Sequence, residues 1–597
     1  MKRAPDIIEL ATTPTLASLL AERVRRSPDH IAYRYYDKST RNWRALSWRE
    51  AAMRVELWRS ALMAEDLHAG DRVALMLPNG PDWLSFDLAA HQLGLIVVPL
   101  YLNDRPDNVA YILEDTQAKV FLLPGGHLWQ QFHKIISKID HLQRIVTTDL
   151  CQETEDDRLV CLLDWLPAKP RPAPSLAVKD HDTATIVYTS GTTGPPKGVM
   201  LSHHNILTNA AHCLGCVDIF TDDLFLSFLP LSHMLERTVG YYLPIMAGAT
   251  VAFSRSIPEL GDDLRQIRPT IMVAVPRIFE RIHNALQEEV EAAGPFARQI
   301  FTTAVAIGWQ HFEYRQRRAR WRPSFLIKPL LDRLVGKKVL ARLGGRLRIV
   351  VSGGASLSPD LARVFIGLGL PIYQGYGLTE TSPVVSVNRP ENNDPRGVGL
   401  PLTEVEVTIG DQNELLVRGP CVMQGYWNRE MATRQVIDRD GWLHTGDQAT
   451  LVEGHIRITG RLKEIIVLSN GEKVSPGDME QAIASDPLFE QILVVGEGKP
   501  CLALLAVLSR PRWEIFAGEL GVSPEAVSLK RHVVQAAILS RVEQQIHDMP
   551  GYAFIKIAVL TLEPWTVENG LLTPTLKVRR EKVQSHLQQE IDQLFRS

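Results

Sequence analysis

Residues 188–203 read YTSGTTGPPKGVMLSH. The hydroxyl residues Thr189, Ser190, Thr192 and Thr193 alternate with Gly191 and Gly194, and Lys197 and Gly198 follow. Glycine lets backbone N–H groups approach an anion closely and reaches φ > 0 without a Cβ clash. Hydroxyls donate to phosphate oxygens, and a lysine adds a point charge. The preceding HDTATIVYTS predicts a strand, and HNILTNAAHCLG beyond the loop has helical spacing. Strand, glycine-rich loop and helix make a phosphate-cradling arrangement. The loop is not of the Walker type, in which lysine sits between glycine and Ser or Thr; here Lys197 lies between Pro196 and Gly198.

Around this loop the chain alternates between two periodicities. SWREAAMRVELWRSALMAE predicts an amphipathic helix, DRVALMLP a buried strand, and DWLSFDLAAHQLGLIVVPL a helix and then a strand. VAYILEDTQAKVFLLP repeats the scheme. Such alternation predicts an α/β fold with layered, largely parallel sheets. Residues 152–175, charged and then proline-rich, read as a surface excursion. Near residue 460 the texture changes to short strands, a turn and a helix, then two strands about a glycine-containing turn. We expect a large domain over 1–460 and a small, mobile α+β domain over 461–597. A chain of 597 residues is too long for one ordinary core.

Apolar and charged fractions of 45% and 22% are those of a globular protein, and the net charge of −3 offers nothing to nucleic acid. The start, MKRAPDIIELATTPTLASLLAERV, lacks a long apolar stretch, and no run is long and apolar enough to span a bilayer. A cytoplasmic protein is therefore expected, and the scattered cysteines suit a reducing compartment. Cys213 and Cys216 form a lone CxxC without the second pair that zinc requires, so they read as buried core thiols. Residues 315–348 are rich in Arg and Lys with Trp, Phe and Leu between. A solvated helix face explains such a run, and so does peripheral contact with an anionic membrane.

Further motifs follow in order. VSGGASLSPDL (351–361) ends a strand at Gly353, Gly354 and Ala355, small residues that let a flat ring approach the backbone. In YQGYGLTETSP (373–383), Tyr376 offers an aromatic face beside Gly377, Thr379 a hydroxyl, and Glu380 a hard oxygen suited to Mg²⁺. Asp447 of GWLHTGDQA (441–449) offers a carboxylate that accepts two hydroxyls. TGRLKEIIVLSNGEKVSP (459–476) contributes Arg461, Lys463 and Gly471, and LLTPTLKVRRE (571–581) contributes Lys577. An ε-ammonium there offsets charge where two anions must meet. His233, in SFLPLSHMLERTVGYYLPIMAGA (227–249), follows a strand and precedes an apolar helix.

Taken in this order, the motifs resemble the adenylate-forming superfamily, and most of the chain resembles its bacterial long-chain fatty acyl-CoA synthetases. The resemblance implies ATP and Mg²⁺ as cofactors and a fatty acid and CoA as partners. By the same resemblance, Thr189, Ser190, Gly191, Thr192, Thr193, Gly194 and Lys197 hold phosphates, and Gly353, Gly354, Ala355, Tyr376 and Gly377 line the adenine pocket. Thr379 contacts the α-phosphate, Glu380 and Thr192 hold the metal, and Asp447 and Arg461 bind the ribose. His233 positions the substrate carboxylate, Lys577 is the catalytic lysine, Lys463 is the hinge, and Gly471 borders the pantetheine channel. Many relatives carry Asp where Gly460 stands, which adds freedom at the hinge edge. Two alternatives stay open: a ligase that passes its acyl-adenylate to a carrier protein, and a non-catalytic acyl- or nucleotide-binding homologue. Homodimer formation and attachment to the inner membrane also stay open.

Overall fold

The computed structural model describes residues 5–149, 156–172, 177–189, 195–470, 472–547 and 554–596. Two large sheets dominate. The first has eight strands, in the order Gly425–Tyr426, Lys197–Ser202, Thr183–Thr189, Ile96–Pro99, Arg72–Leu75, Val120–Leu123, Arg144–Thr147 and Leu159–Cys161. The second has nine strands, and its central members Ile31–Asp37, Thr250–Phe253, Leu224–Ser227, Ile271–Ala274, Ile349–Ser352 and Ile372–Gly377 run parallel. Parallel strands need covered faces, and their side chains here divide with a period of two. Val73 and Leu75 enter one core and Ala74 and Met76 the other; Phe225 and Leu226 divide in the same way.

The core between the two sheets holds the helices Pro81–Gln92 and His203–Leu214. Every residue from Trp83 to His91 is buried, as a helix enclosed on all sides requires. Further helices cover the outer faces of both sheets, so the large part of the molecule is a stack of five alternating layers. A four-stranded antiparallel sheet, Glu406–Ile409, Glu414–Arg418, Leu443–Val452 and His455–Arg461, adjoins this stack.

Beyond it lies a small α+β part. The strands Phe489–Val495, Leu502–Leu508 and Ile555–Thr561 form one sheet, with Leu502 and Leu504 in one core and Ala503 and Leu505 in the other. The main core of the large part runs to Ile456, and the first core residue of the small part is Ile466. The α/β architecture with a smaller α+β unit is the one the sequence predicts.

Three expectations need correction. The phosphate-type loop does not run from strand to helix. Thr183–Thr189 and Lys197–Ser202 are an antiparallel pair, with Tyr188 opposite Gly198 and Thr189 opposite Lys197. The helix His203–Leu214 starts only after that second strand, capped by Ser202 and Asn205, so its N-terminus does not complete the loop. The stretch 152–175 is not wholly a loop, because Leu159–Cys161 adds an edge strand to the eight-stranded sheet. Gly460 sits inside the strand His455–Arg461, where a Cβ would come 2.6 Å from the Ser475 hydroxyl. Close packing, not added freedom, distinguishes that position.

Candidate active site

A cavity of about 640 Å³ opens where the two large sheets, the antiparallel sheet and the small part meet. Thr189, Lys197, His233, Gly353, Gly354, Tyr376, Gly377, Thr379, Glu380, Arg461, Lys463 and Lys577 all line it. Asp447 does not itself line the cavity; it is bonded to two residues that do, Tyr376 and Arg461. Ala355 is exposed on the bend after Gly354 and does not line the cavity. Ser190, Gly191, Thr192, Thr193, Gly194 and Gly471 lie outside the described residues.

Local geometry explains the placement of each group. The strand Ile372–Gly377 runs into the short turn Thr379–Thr381. A Cβ on Gly377 would lie 1.8 Å from the Pro383 carbonyl, so only glycine permits this close return of the chain. The Thr381 hydroxyl accepts from Leu378 N–H at 3.0 Å and donates to Pro383 O at 2.6 Å, which fixes the turn that presents Thr379 and Glu380. At the end of Ile349–Ser352, Gly354 has φ +81°, a left-handed conformation natural to glycine. Gly198 packs where a Cβ would approach the Ile186 side chain to 2.6 Å, which seals the hairpin that carries Lys197.

Cross-strand pairing brings Asp447 opposite Arg461. Arg461 Nε donates to Asp447 Oδ1 at 2.7 Å, and the Tyr376 hydroxyl donates to Asp447 Oδ2 at 2.6 Å. Burial pulls the Arg461 guanidinium down, yet Asp447 outweighs it and holds the group above its ordinary value. Burial, then Asp447, pushes the Tyr376 phenol up. Lys577 projects from the turn 573–577, where Thr573 and Lys577 bond reciprocally: Lys577 N–H donates to Thr573 Oγ1 at 3.0 Å and Thr573 N–H to Lys577 O at 2.8 Å. Lys577 as a whole residue is exposed and lines the cavity, while its ammonium stands among crowded protein groups. Burial first, then the Arg461 charge, lowers its ammonium from the ordinary lysine value. His233 is pushed down to about 4 by burial and by Lys577, so its ring is neutral near pH 7. Its Nδ1 accepts from Leu235 N–H at 3.2 Å, which makes it the cap of the following helix.

Away from these polar groups the cavity becomes an apolar channel. Val217, Phe225, Val239, Ile271, Ile349 and Val384 are among its walls. Leu235, Val239 and Leu243 place the apolar helix after His233 along it, and Val387 adds to the same wall. Cys213 and Cys216 are buried thiols as expected, and they also line this channel.

Sequence reasoning missed Tyr426. Its hydroxyl donates to Glu380 Oε1 at 2.9 Å, and its ring lies 4.9 Å from the Lys197 ammonium. Burial and the Glu380 charge push its phenol up. The only signal was a tyrosine after Gly425, whose φ of +141° and contact with Thr433 make it a constrained point. Glu414 was missed as well; it accepts from Gly446 N–H at 2.9 Å and holds the turn before Asp447. Glu380 forms no ion pair among the described residues. A hard carboxylate without a basic partner, lining a cavity, has the chemistry to hold a divalent cation.

The comparisons agree with this geometry. The AMP-binding enzyme family profile matches residues 20–427, and the profile of the AMP-binding enzyme C-terminal domain matches 463–597. A protein of Mycobacterium bovis named a long-chain-fatty-acid–CoA ligase is 30% identical over 97% of both chains. A peroxisomal long chain acyl-CoA synthetase of Arabidopsis thaliana is 30% identical over 94% of this chain and 83% of its own. In fold, an anthranilate CoA ligase in complex with anthranoyl-AMP aligns at TM-score 0.73 and 18% identity over 99% of each chain. A carboxylic acid reductase didomain from Segniliparus rugosus, in complex with AMP, aligns at 0.75 and 22% over 99% of this chain and 84% of its own. The chain belongs to the AMP-binding enzymes, with a large N-terminal part and that family's small C-terminal domain.

Proposed function

We propose that the protein is an ATP-dependent fatty acyl-CoA synthetase that joins a medium- or long-chain fatty acid to AMP and then transfers the acyl group to CoA. One observation carries this reading: a single cavity joins Lys577, Arg461, Thr379 and Glu380 to an apolar channel, with His233 at their junction. The names of the relatives that align over nearly the full chain point the same way.

In the first step the fatty acid carboxylate attacks the α-phosphate of ATP and pyrophosphate leaves. Both reactants are anions, so the barrier is partly electrostatic. Lys577 bridges carboxylate and phosphate, and Thr379 donates to a phosphate oxygen. Lys197 neutralises the departing pyrophosphate together with the hydroxyl-rich loop. Glu380 would hold Mg²⁺, which supplies further charge neutralisation on the phosphates. Asp447, already oriented by Tyr376 and Arg461, accepts the ribose hydroxyls. Neutral His233 positions the carboxylate without adding a competing charge. In the second step the CoA thiol attacks the acyl carbon and AMP leaves. The proposed boundary between the parts lies at 460/461, with Lys463 as the pivot between the two steps.

Purified protein, ATP and Mg²⁺ are given acids of increasing chain length, with and without CoA, and the products are read by mass spectrometry. Acyl-CoA and AMP appearing together, best with long chains, support the reading. Acyl-AMP accumulating without thioester assigns the carrier-loading ligase, and no product with any fatty acid overturns the enzyme reading. Lys577→Ala is expected to lower adenylation at least about a hundredfold, while thioester formation from supplied acyl-AMP continues. Equal loss of both steps would show that Lys577 does not divide the labour in this way.

A further inference from the structure

The basic segment 315–348 has a structure that a solvated helix face does not explain. It carries twelve Lys and Arg residues against one acidic residue, Asp332, in a chain whose net charge is −3. Four contiguous helical turns, Pro323–Ile327, Lys328–Leu331, Asp332–Gly336 and Lys337–Arg342, form one rod. Phe325, Gly336 and Val339 turn inward and are buried. Leu326, Leu330 and Leu334 stand four residues apart and are 74%, 59% and 45% exposed. Side chains at that spacing share one helix face, so the rod presents an apolar stripe outward. Ile327 beside it is 48% exposed, and Trp321, in the irregular segment that leads into the rod, is 53% exposed.

Cations flank this stripe. Arg333 is three residues from Leu330, and Lys337 and Lys338 are three and four from Leu334. Arg320 and Arg322 bracket Trp321. All five are exposed, and none forms an ion pair among the described residues, whereas Lys328 and Arg342 are paired with carboxylates. We propose that this rod is a membrane-docking surface, seated with its leucines in the interface of an anionic lipid bilayer and its cations at the headgroups.

The combination selects this occupant. A second protein chain covering the leucines would bury unpaired cations beside them, and interface cores are depleted of lysine. A bilayer satisfies both chemistries at once. Leucine side chains enter the acyl boundary, lysines and arginines keep their heads among phosphates on long apolar stems, and a tryptophan lies at the headgroup level. Among the described residues no helix is long and apolar enough to cross a membrane. The inference gains its purpose from the proposed function, because long-chain fatty acids partition into bilayers, but it stands on the rod's own geometry.

The test uses the full chain and flotation with vesicles of phosphatidylcholine alone or mixed with phosphatidylglycerol. The protein is expected to float with the anionic vesicles and to be released by salt. Leu326→Ser, Leu330→Ser and Leu334→Ser together should lower partitioning about tenfold or more. Arg333→Gln, Lys337→Gln and Lys338→Gln together should remove the preference for anionic lipid. Both triple variants alter exposed side chains and should keep the wild-type melting temperature and the wild-type activity toward a short, water-soluble acid. Failure to float with either vesicle, or flotation unchanged in both variants, overturns the proposal. So does self-association in lipid-free solution that the leucine variant abolishes, which would assign the stripe to a second copy. Flotation needs no turnover, so a failed product assay with intact flotation would remove the substrate reading and leave the docking surface standing.

Discussion

At the scale of single residues, Glu236 shows how strongly burial sets charge. It lies three residues beyond His233 and is 1% exposed, and neither carboxyl oxygen makes a hydrogen bond of ordinary geometry. A Cβ on Gly240 would fall 2.5 Å from its Oε1, so the helix packs directly against the carboxyl. Burial pushes Glu236 up to about 8, with the Ser227 hydroxyl offsetting only part of the penalty. The folded state therefore holds this proton at pH 7, where the unfolded chain, with an ordinary glutamate value near 4.5, has lost it. Stability from this group is complete below about pH 4.5 and is lost as pH rises through 8. Glu236→Gln, neutral at every pH, is expected to raise the melting temperature at pH 8.5 and to change it little at pH 5. An equal shift at both values would show that the proton on Glu236 is not what costs stability.

At the scale of elements, a buried ionic knot ties the helix after His233 to the hairpin of the hydroxyl-rich loop. Arg237 pairs with Asp87, both fully buried, and the Tyr242 hydroxyl donates to Asp87 Oδ2 at 2.7 Å. Arg237 Nη1 donates to Thr185 Oγ1 at 2.7 Å, and Thr185 sits in the strand that leads into Thr189. Arg237→Met leaves Asp87 buried without its guanidinium partner, with His91 and the two tyrosine hydroxyls still beside it, which costs about 3–5 kcal/mol. Denaturant unfolding should show that loss, and Asp87→Leu combined with Arg237→Met should recover most of it. A single variant as stable as wild type would show that the pair does not hold these elements. The sequence carried a signal here: an arginine inside an apolar helix calls for a buried partner. The partner itself, 150 residues away on the helix Pro81–Gln92, was not legible. The same limit explains the missed strand Lys197–Ser202. Its six residues form a strand because Thr183–Thr189 and Gly425–Tyr426 flank it, and strand preference follows such neighbours more than the residues themselves. The strands and helices of the large sheets, with their clear periods, were legible. The site motifs were legible as residues that meet at one cavity, but Tyr426 reaches Glu380 by a pairing that no periodicity reveals.

At the scale of the whole molecule, the proposed reaction requires one lysine, Lys577, to serve the first step and leave for the second. Between the last residues of the large core and Ile466 the chain passes through the strand end at Arg461 and a single turn, Leu462–Glu464, which has no side-chain cap. Lys463 in that turn is exposed. Side-chain ties across the parts include Asn103 to Pro574 O at 3.4 Å, Gln481 to Ser356 O at 3.3 Å, and Arg512 to Glu288 at 2.5 Å. All three are solvent-exposed, and such contacts contribute little and break readily. The two cores share no residue, so a change of φ and ψ near Lys463 would carry Lys577 out of the cavity without unfolding either one. In the proposed reaction, the arrangement with Lys577 inside the cavity would serve adenylation. Lys463→Pro fixes φ near −65° and restricts Leu462 as well, so it would restrain the proposed pivot while leaving both cores intact. In single-turnover rapid-quench experiments, acyl-AMP should form at close to the wild-type rate. Thioester formation from that acyl-AMP should fall about tenfold or more, equivalent to roughly 1.4 kcal/mol on the barrier of the second step. A second step as fast as wild type would remove Lys463 from the pivot. Equal slowing of both steps would mean that proline disturbs the cavity itself, and the pivot would then have to lie elsewhere between Arg461 and Ile466.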